Sequence, residues 1–290
     1  MGGSEITEQV RQFYDRVGWQ VTSEGFYQNA RYEDLRPVSS EYIHRCHLRV
    51  KRWLKPSGNF LMDAGSGPIQ YPEYLTYSED YRFRICVDIS MVALQEARKR
   101  VGDHGLCVVA DVANLPFRSD AFDGIVSLHT LHHLPVEDQV KAYHDLYRVL
   151  QPGASMVLVN GWTDSPLMKH MQPLILLMER VGSKWASSRV KKVLPGGAVE
   201  DVVASTKEEQ KRDPTGTYIH KQDAGWLRQV LKGMRFEIRS WRSVSVRFLR
   251  AVIHRRLLGK FWLRVLFGLE ERFPHWFGEN GQYPLVIIWK

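Results

Sequence analysis

Short apolar runs alternate with stretches of helical spacing along the middle third of the chain. Residues 59–64 (NFLMDA), 82–88 (RFRICVD), 106–110, 122–128 (FDGIVSL) and 154–160 (ASMVLVN) read as buried strands. Amphipathic segments lie between several of them. Met91–Val101 sets Val92, Leu94 and Ala97 among charges behind a Ser90 cap, and residues 138–150 repeat the helical spacing through Val140, Tyr143, Leu146, Tyr147 and Leu150. Strands alternating with helices predict a mainly parallel sheet with helices on both faces. Such a sheet binds ligands at the carboxyl ends of its strands, near the point where strand order reverses.

On either side of this core the pattern changes. Residues 5–17 and 40–54 read as helices, with an aromatic, irregular stretch at 18–39. After the fifth strand, residues 161–220 form a long insertion that joins an apolar helical run (167–181) to a polar, Gly/Pro-bearing segment (195–216). Residues 223–233 read as a helix, 236–246 as a sixth strand, 247–272 as a second helical insertion and 283–289 (YPLVIIW) as a last strand. The expected architecture is α/β, a seven-stranded, mainly parallel, doubly wound sheet. Residues 1–40 would form a helical, aromatic lid on a main domain of 41–290, whose insertions 161–220 and 247–279 would cap a substrate site.

Composition is consistent with one elaborated globular domain: 44% of the 290 residues are hydrophobic and 25% charged. No run of about 20 uncharged apolar residues occurs, and the first residues lack the apolar stretch of a secretion signal. A cytoplasmic location is therefore expected. Cys46, Cys86 and Cys107 are far apart without CxxC spacing and read as small buried apolar residues rather than zinc or redox groups. Charge is uneven: 17 basic against 20 acidic side chains in residues 1–161, but 23 against 12 in 162–290, or net −3 and +11. The second half is thereby suited to something anionic, or it carries a solvated basic face.

The chemistry-bearing residues sit at strand ends. Asp63-Ala64-Gly65-Ser66-Gly67 falls where a strand gives way to a loop, and Gly65 and Gly67 allow a sharp turn and close approach of a ligand. Asp88 ends the second strand, where a carboxylate can accept both hydroxyls of a ribose, and Asp111 closes the third in the same way. Buried carboxylates need partners, and three at successive strand ends point to one shared ligand. Gln70, where a dinucleotide loop would have its third glycine, and Pro68 disfavour a nicotinamide cofactor.

Through LMDAGSGP, CVDIS, ADVANLPFRSDAFDGIVSLHTLHHL and LYRVLQPGASMVLV, residues 40–160 resemble the class I S-adenosylmethionine-dependent methyltransferases, in the branch with ubiquinone, menaquinone and natural-product enzymes. The resemblance implies a Rossmann-like sheet whose last strand is antiparallel, and S-adenosylmethionine as cofactor with no metal. It implies that Asp63, Gly65 and Gly67, with Ala64 and Ser66 between them, line the methionine portion. Asp88 would hold the ribose, Ile89 pack on adenine, Asp111 with Val112 meet the adenine edge, and Ser127 and Leu128 flank the methionine end.

A sulfonium is already a strong methyl electrophile, so alignment and exclusion of water are the expected contributions, with a base needed only for an acidic nucleophile. His129 and His133 in SLHTLHHL are the candidate catalytic residues, and packing is the alternative role for His132 and His133. Tyr14, Trp19 and Tyr27 are the candidate lid residues over the substrate. The segment 247–272 interleaves bulky apolar residues with arginines, as in a helix with one apolar and one cationic face, suited to walling the cavity or to peripheral membrane contact. The expected reaction is methylation of an oxygen or carbon, less readily a nitrogen, of a small or lipid-like acceptor. An inactive binding module and an RNA methyltransferase are the alternatives. Without a KH, RRM or zinc-finger signature, nucleic acid is not the expected partner.

Overall fold

Every run read above as a strand becomes a strand of one sheet. The coordinates are a computed structural model that describes residues 3–19, 33–193 and 217–290. In chain order the elements are α1 (Gly3–Phe13), which continues into a π-helical turn (Tyr14–Gly18), α2 (Ser40–Leu48), β1 (Gly58–Ala64), α3 (Pro72–Leu75), β2 (Tyr81–Asp88), α4 (Met91–Val101), β3 (Gly105–Val109) and β4 (Phe122–Leu128). There follow α5 (Val136–Val149), β5 (Leu150–Val159), α6 (Pro166–Val193), α7 (Ala224–Val230), β6 (Arg235–Arg242), α8 (Val246–Val252), α9 (Gly259–Arg272), α10 (Pro274–Asn280) and β7 (Tyr283–Trp289).

The strands lie in the order β3-β2-β1-β4-β5-β7-β6. β7 runs antiparallel to β5 and to β6, and the other neighbours are parallel. Side chains alternate across the pleat, so adjacent residues enter opposite cores. Leu61, Cys86, Val126, Val157 and Ile287 face α2 and α9, whereas Met62, Ile85, Ile125, Met156 and Ile288 face α5 and α7. Ser90 caps α4 by accepting from the Ala93 N–H at 3.1 Å, and Asp223 and Ser245 cap α7 and α8 in the same way.

The second insertion departs from the single helix read over 247–272. β6 ends at Arg242 after a register shift, and Ser245 starts α8. The chain is extended at Ile253, and Leu258 adopts a left-handed φ of 56° before α9 begins at Gly259. A side chain at 259 would lie within 3 Å of Ile253 and Val38, so glycine permits that close passage. α9 is then anchored through buried Glu270, which accepts from Arg49 (2.9 Å), the Tyr42 hydroxyl (2.7 Å) and the Ser243 N–H (2.8 Å). Cys107 also departs from expectation: it is exposed, because β3 is an edge strand, while Cys46 and Cys86 are buried. Among the described residues, no helix is long and apolar enough to cross a membrane.

Candidate functional site

Strand order reverses between β1 and β4, and a cavity of about 540 Å³ opens at the carboxyl ends of these strands. The loop after β1 forms its floor. Gly65 and Gly67 have φ of 73° and 52°, left-handed values that favour glycine. A Cβ on Gly65 would collide with the Thr130 side chain, so the two loops can only pack this closely around glycine. The N–H groups of Gly65 and Ser66 donate to the Val87 carbonyl at 2.7 and 3.1 Å. Asp88 then clamps the loop: one carboxylate oxygen accepts from the Gly67 N–H and the other from the Ser90 N–H, both at 2.9 Å. Burial pushes its carboxyl up to about 6.

Of the residues singled out in the sequence, Gly65, Ser66, Gly67, Asp88, Ile89, Asp111, Val112 and Leu128 line this cavity. Asp63, Ala64 and Ser127 stand behind its wall. Asp63 faces Arg84 on β2, with 2.5 Å between carboxylate and guanidinium, because a fully buried arginine needs a counter-charge. Ala64 is fully buried, and the Ser127 hydroxyl donates to its carbonyl at 2.8 Å. Two of the three strand-end carboxylates therefore reach the cavity, and the third braces the sheet beneath it.

The three histidines form the next wall. His129, with a left-handed φ of 57°, packs edge-on against Trp241 and Tyr283, and its imidazole hydrogen-bonds nothing among the described residues. Burial, reinforced by Arg242, lowers its pKa to about 3. His132 meets Asn160 through Nδ1 at 3.1 Å. His133 Nδ1 lies 2.9 Å from the Tyr218 carbonyl, an acceptor, so that nitrogen carries the proton and Nε2 accepts from the Tyr14 hydroxyl at 2.8 Å. Burial lowers His133 to about 4 and His132 well below its ordinary value.

Val10, Phe13, Tyr14 and Trp19 cover the cavity from the N-terminal side. Tyr14 and Trp19 stack at 4.9 Å, the Trp19 ring lies over Gly67, and Asp15 accepts from the Ser90 hydroxyl at 2.5 Å. Tyr27 lies outside the described residues.

Several lining residues escaped the sequence reading. Glu33 and Arg242 form a buried ion pair at 2.5 Å, Trp241 and Tyr283 complete the far end, and Lys221 projects there with no carboxylate in ion-pair distance among the described residues. Desolvation lowers the Lys221 pKa. The one sequence signal was an arginine at the end of an apolar strand; nothing local marks Glu33 or Lys221. Among the described residues, no cluster of metal-ligating side chains occurs.

The family described as "Methyltransferase domain" matches residues 62–158. A tRNA (carboxymethyluridine(34)-5-O)-methyltransferase of Arabidopsis thaliana is 32% identical over 160 residues, covering 47% of this chain and 37% of that protein. The sterol methyltransferase-like 3 of Botryococcus braunii is 39% identical over 182 residues, covering 58% of this chain and 45% of its own length. The chain thus spans less than half of either relative, and the first name stands against the expectation that nucleic acid is not a partner. Phosphoethanolamine N-methyltransferase 1 of Haemonchus contortus, solved with phosphoethanolamine and S-adenosylhomocysteine, superposes with a TM-score of 0.57 at 9% identity, over 100% of this chain and 50% of that one, a likeness of fold alone. By the matched domain and a sheet ordered 3-2-1-4-5-7-6, the chain carries a class I S-adenosylmethionine-dependent methyltransferase domain.

Proposed function

We propose that the protein transfers a methyl group from S-adenosylmethionine to an oxygen or carbon of a small or lipid-like acceptor with an anionic group. One observation carries this reading: Asp88, Asp111 and the apolar Ile89 and Val112 share a single cavity with His129 and Lys221. The donor set fits the cofactor. Both Asp88 oxygens keep a lone pair free after holding Gly67 and Ser90, which suits two ribose hydroxyls. Ile89 and Val112 offer apolar surface to a purine, and Asp111 an acceptor for its amino group. The bound cofactor supplies an electrophilic methyl group on a sulfonium.

This chain's own residues then orient the acceptor and keep water out. Lys221 holds the anionic end, and Trp241 and Tyr283 wall it in. With a pKa of about 3, His129 is a hydrogen-bond partner that orients the nucleophile rather than a strong base. An acceptor oxygen that arrives ionised needs no base. Titration calorimetry with S-adenosylmethionine and S-adenosylhomocysteine tests the reading, since Asp88→Ala should weaken both. An unchanged affinity would remove the ribose assignment.

A second reading, methylation of tRNA, is favoured by the name of the Arabidopsis relative and by the basic second half of the chain. It requires RNA binding that weakens steeply with salt. Weak binding at physiological ionic strength would eliminate it. Bound cofactor without turnover on any acceptor would instead favour a binding module.

A further inference from the structure

A groove of about 510 Å³ runs between α6, α8 and α9, walled by Met171, Val252, Trp262 and Leu266. Apolar surface continues beyond its rim. On α9 the exposed Phe261, Val265 and Leu269 follow one another a turn apart, and on α6 Leu174, Leu177 and Val181 do the same. α9 is therefore apolar on two sides, since Leu263 and Phe267 face the core while the Phe261 row faces outward, with Lys260 and Arg264 between. A helix that only caps a cavity needs one apolar side. Leu258, 67% exposed, is held in the left-handed region, an unfavourable backbone state that aims an apolar side chain at solvent.

Two acids border this face, and both are neutralised, Glu179 by Arg247 and Glu41 by Arg264. Arg255 and Arg256 are exposed beside Leu258 and ion-pair with nothing among the described residues. The acids of α9 are engaged elsewhere, Glu270 with Arg49, and Glu271 with Arg49 and Arg52.

We propose that this face docks on an anionic lipid bilayer, with Leu257, Leu258, Phe261 and Trp262 entering the acyl boundary while Arg255 and Arg256 meet lipid phosphates. Charge decides between occupants. A second copy paired through the same patch by two-fold symmetry would set these arginines against their own kind. An RNA would satisfy the arginines and leave the Phe261 row in water. A further cleft, lined by Met178, Arg247 and Arg250, shares Lys221 and Tyr283 with the lining of the strand-end cavity. Docking does not depend on the methyl-transfer reading.

Co-sedimentation of the full chain with phosphatidylcholine vesicles, with and without phosphatidylserine, tests the proposal. Binding should require phosphatidylserine and weaken with salt. The double variant Arg255→Glu, Arg256→Glu should lose roughly tenfold or more in vesicle affinity. Leu258→Gly is the sharper probe, because glycine suits the left-handed backbone: the variant should melt no lower than the parent and still bind vesicles less well. Equal binding by Leu258→Gly, or no binding to phosphatidylserine vesicles, would overturn the proposal. So would light scattering that reports a dimer which Leu258→Gly separates, or RNA binding lost in the arginine variant without any vesicle binding. None of these readouts needs cofactor, so they stand or fall apart from the Asp88 test.

Discussion

The Tyr14 hydroxyl donates to Nε2 of His133 across 2.8 Å, tying the end of the N-terminal helix to the turn after β4. That bond, together with the Asp15–Ser90 contact, holds the Tyr14–Trp19 stack over the cavity. Tyr14→Phe keeps the ring and removes the donor, a loss of about 1 kcal/mol. Hydrogen exchange over residues 3–18 should then speed up roughly fivefold while β4 and α5 are unaffected. Unchanged exchange would show that the stack holds without this bond.

The same histidine cluster predicts an acid-sensitive fold. His129 at about 3 and His133 at about 4 bind protons more weakly in the folded chain than the ordinary 6.5 of the unfolded one. His132 shifts the same way. Below pH 6.5 the unfolded state therefore takes up protons that the folded state refuses, and stability falls until the folded values are reached near 3–4. Melting temperatures measured from pH 7.5 to about 4.5 should decline steeply, and His132→Asn should flatten the curve. A flat parent profile would refute the burial argument.

Asp88 titrates in the opposite sense, because burial raises its carboxyl from 3.8 to about 6. The ionised form accepts from the ribose, so cofactor affinity should rise with pH through 6 and level off above it. Asp88→Ala should cost about 3 kcal/mol, on the order of 100-fold in Kd, and abolish the pH step. Calorimetry with S-adenosylhomocysteine between pH 5 and 8 reads both effects.

Short apolar runs located the sheet, and all seven became strands, with buried polar residues such as Arg84 held inside them by a partner. Strand-end position likewise brought Gly65, Gly67, Asp88 and Asp111 to the cavity, since parallel strands deliver their carboxyl ends to one edge. Asp63 shows the limit of that logic. Its position matches the others, but Arg84, one strand away in space and 21 residues away in sequence, takes the carboxylate. Lys221, Glu33 and Arg242 lay beyond reach for the same reason: they converge from segments with no shared period. The break at Leu258 was hidden because 247–272 keeps α-helical spacing across an extended residue, a 3-10 turn (Arg255–Leu257) and a left-handed one.

The Asp63–Arg84 pair accordingly predicts a loss of stability ahead of a loss of binding. Asp63→Asn leaves a fully buried guanidinium without a counter-charge, which costs about 3–5 kcal/mol. Chemical denaturation should show that drop, while the cofactor Kd of the folded fraction changes by less than about fivefold. A Kd shift as large as that of Asp88→Ala would instead mean that Asp63 contacts the ligand.

Lys221 provides the test of acceptor charge. It stands at the far end of the cavity from Asp88, is largely desolvated, and has no carboxylate partner among the described residues, so the charge is costly unless the acceptor supplies the anion. Lys221→Met keeps the side-chain length and removes the charge. The variant should be as stable as the parent or more so, bind S-adenosylhomocysteine normally, and lose on the order of 10- to 100-fold in KM for an anionic acceptor with kcat little changed. A fall in kcat at constant KM would place Lys221 in the chemical step, and an effect on neither would mean that the acceptor carries no anion at this end.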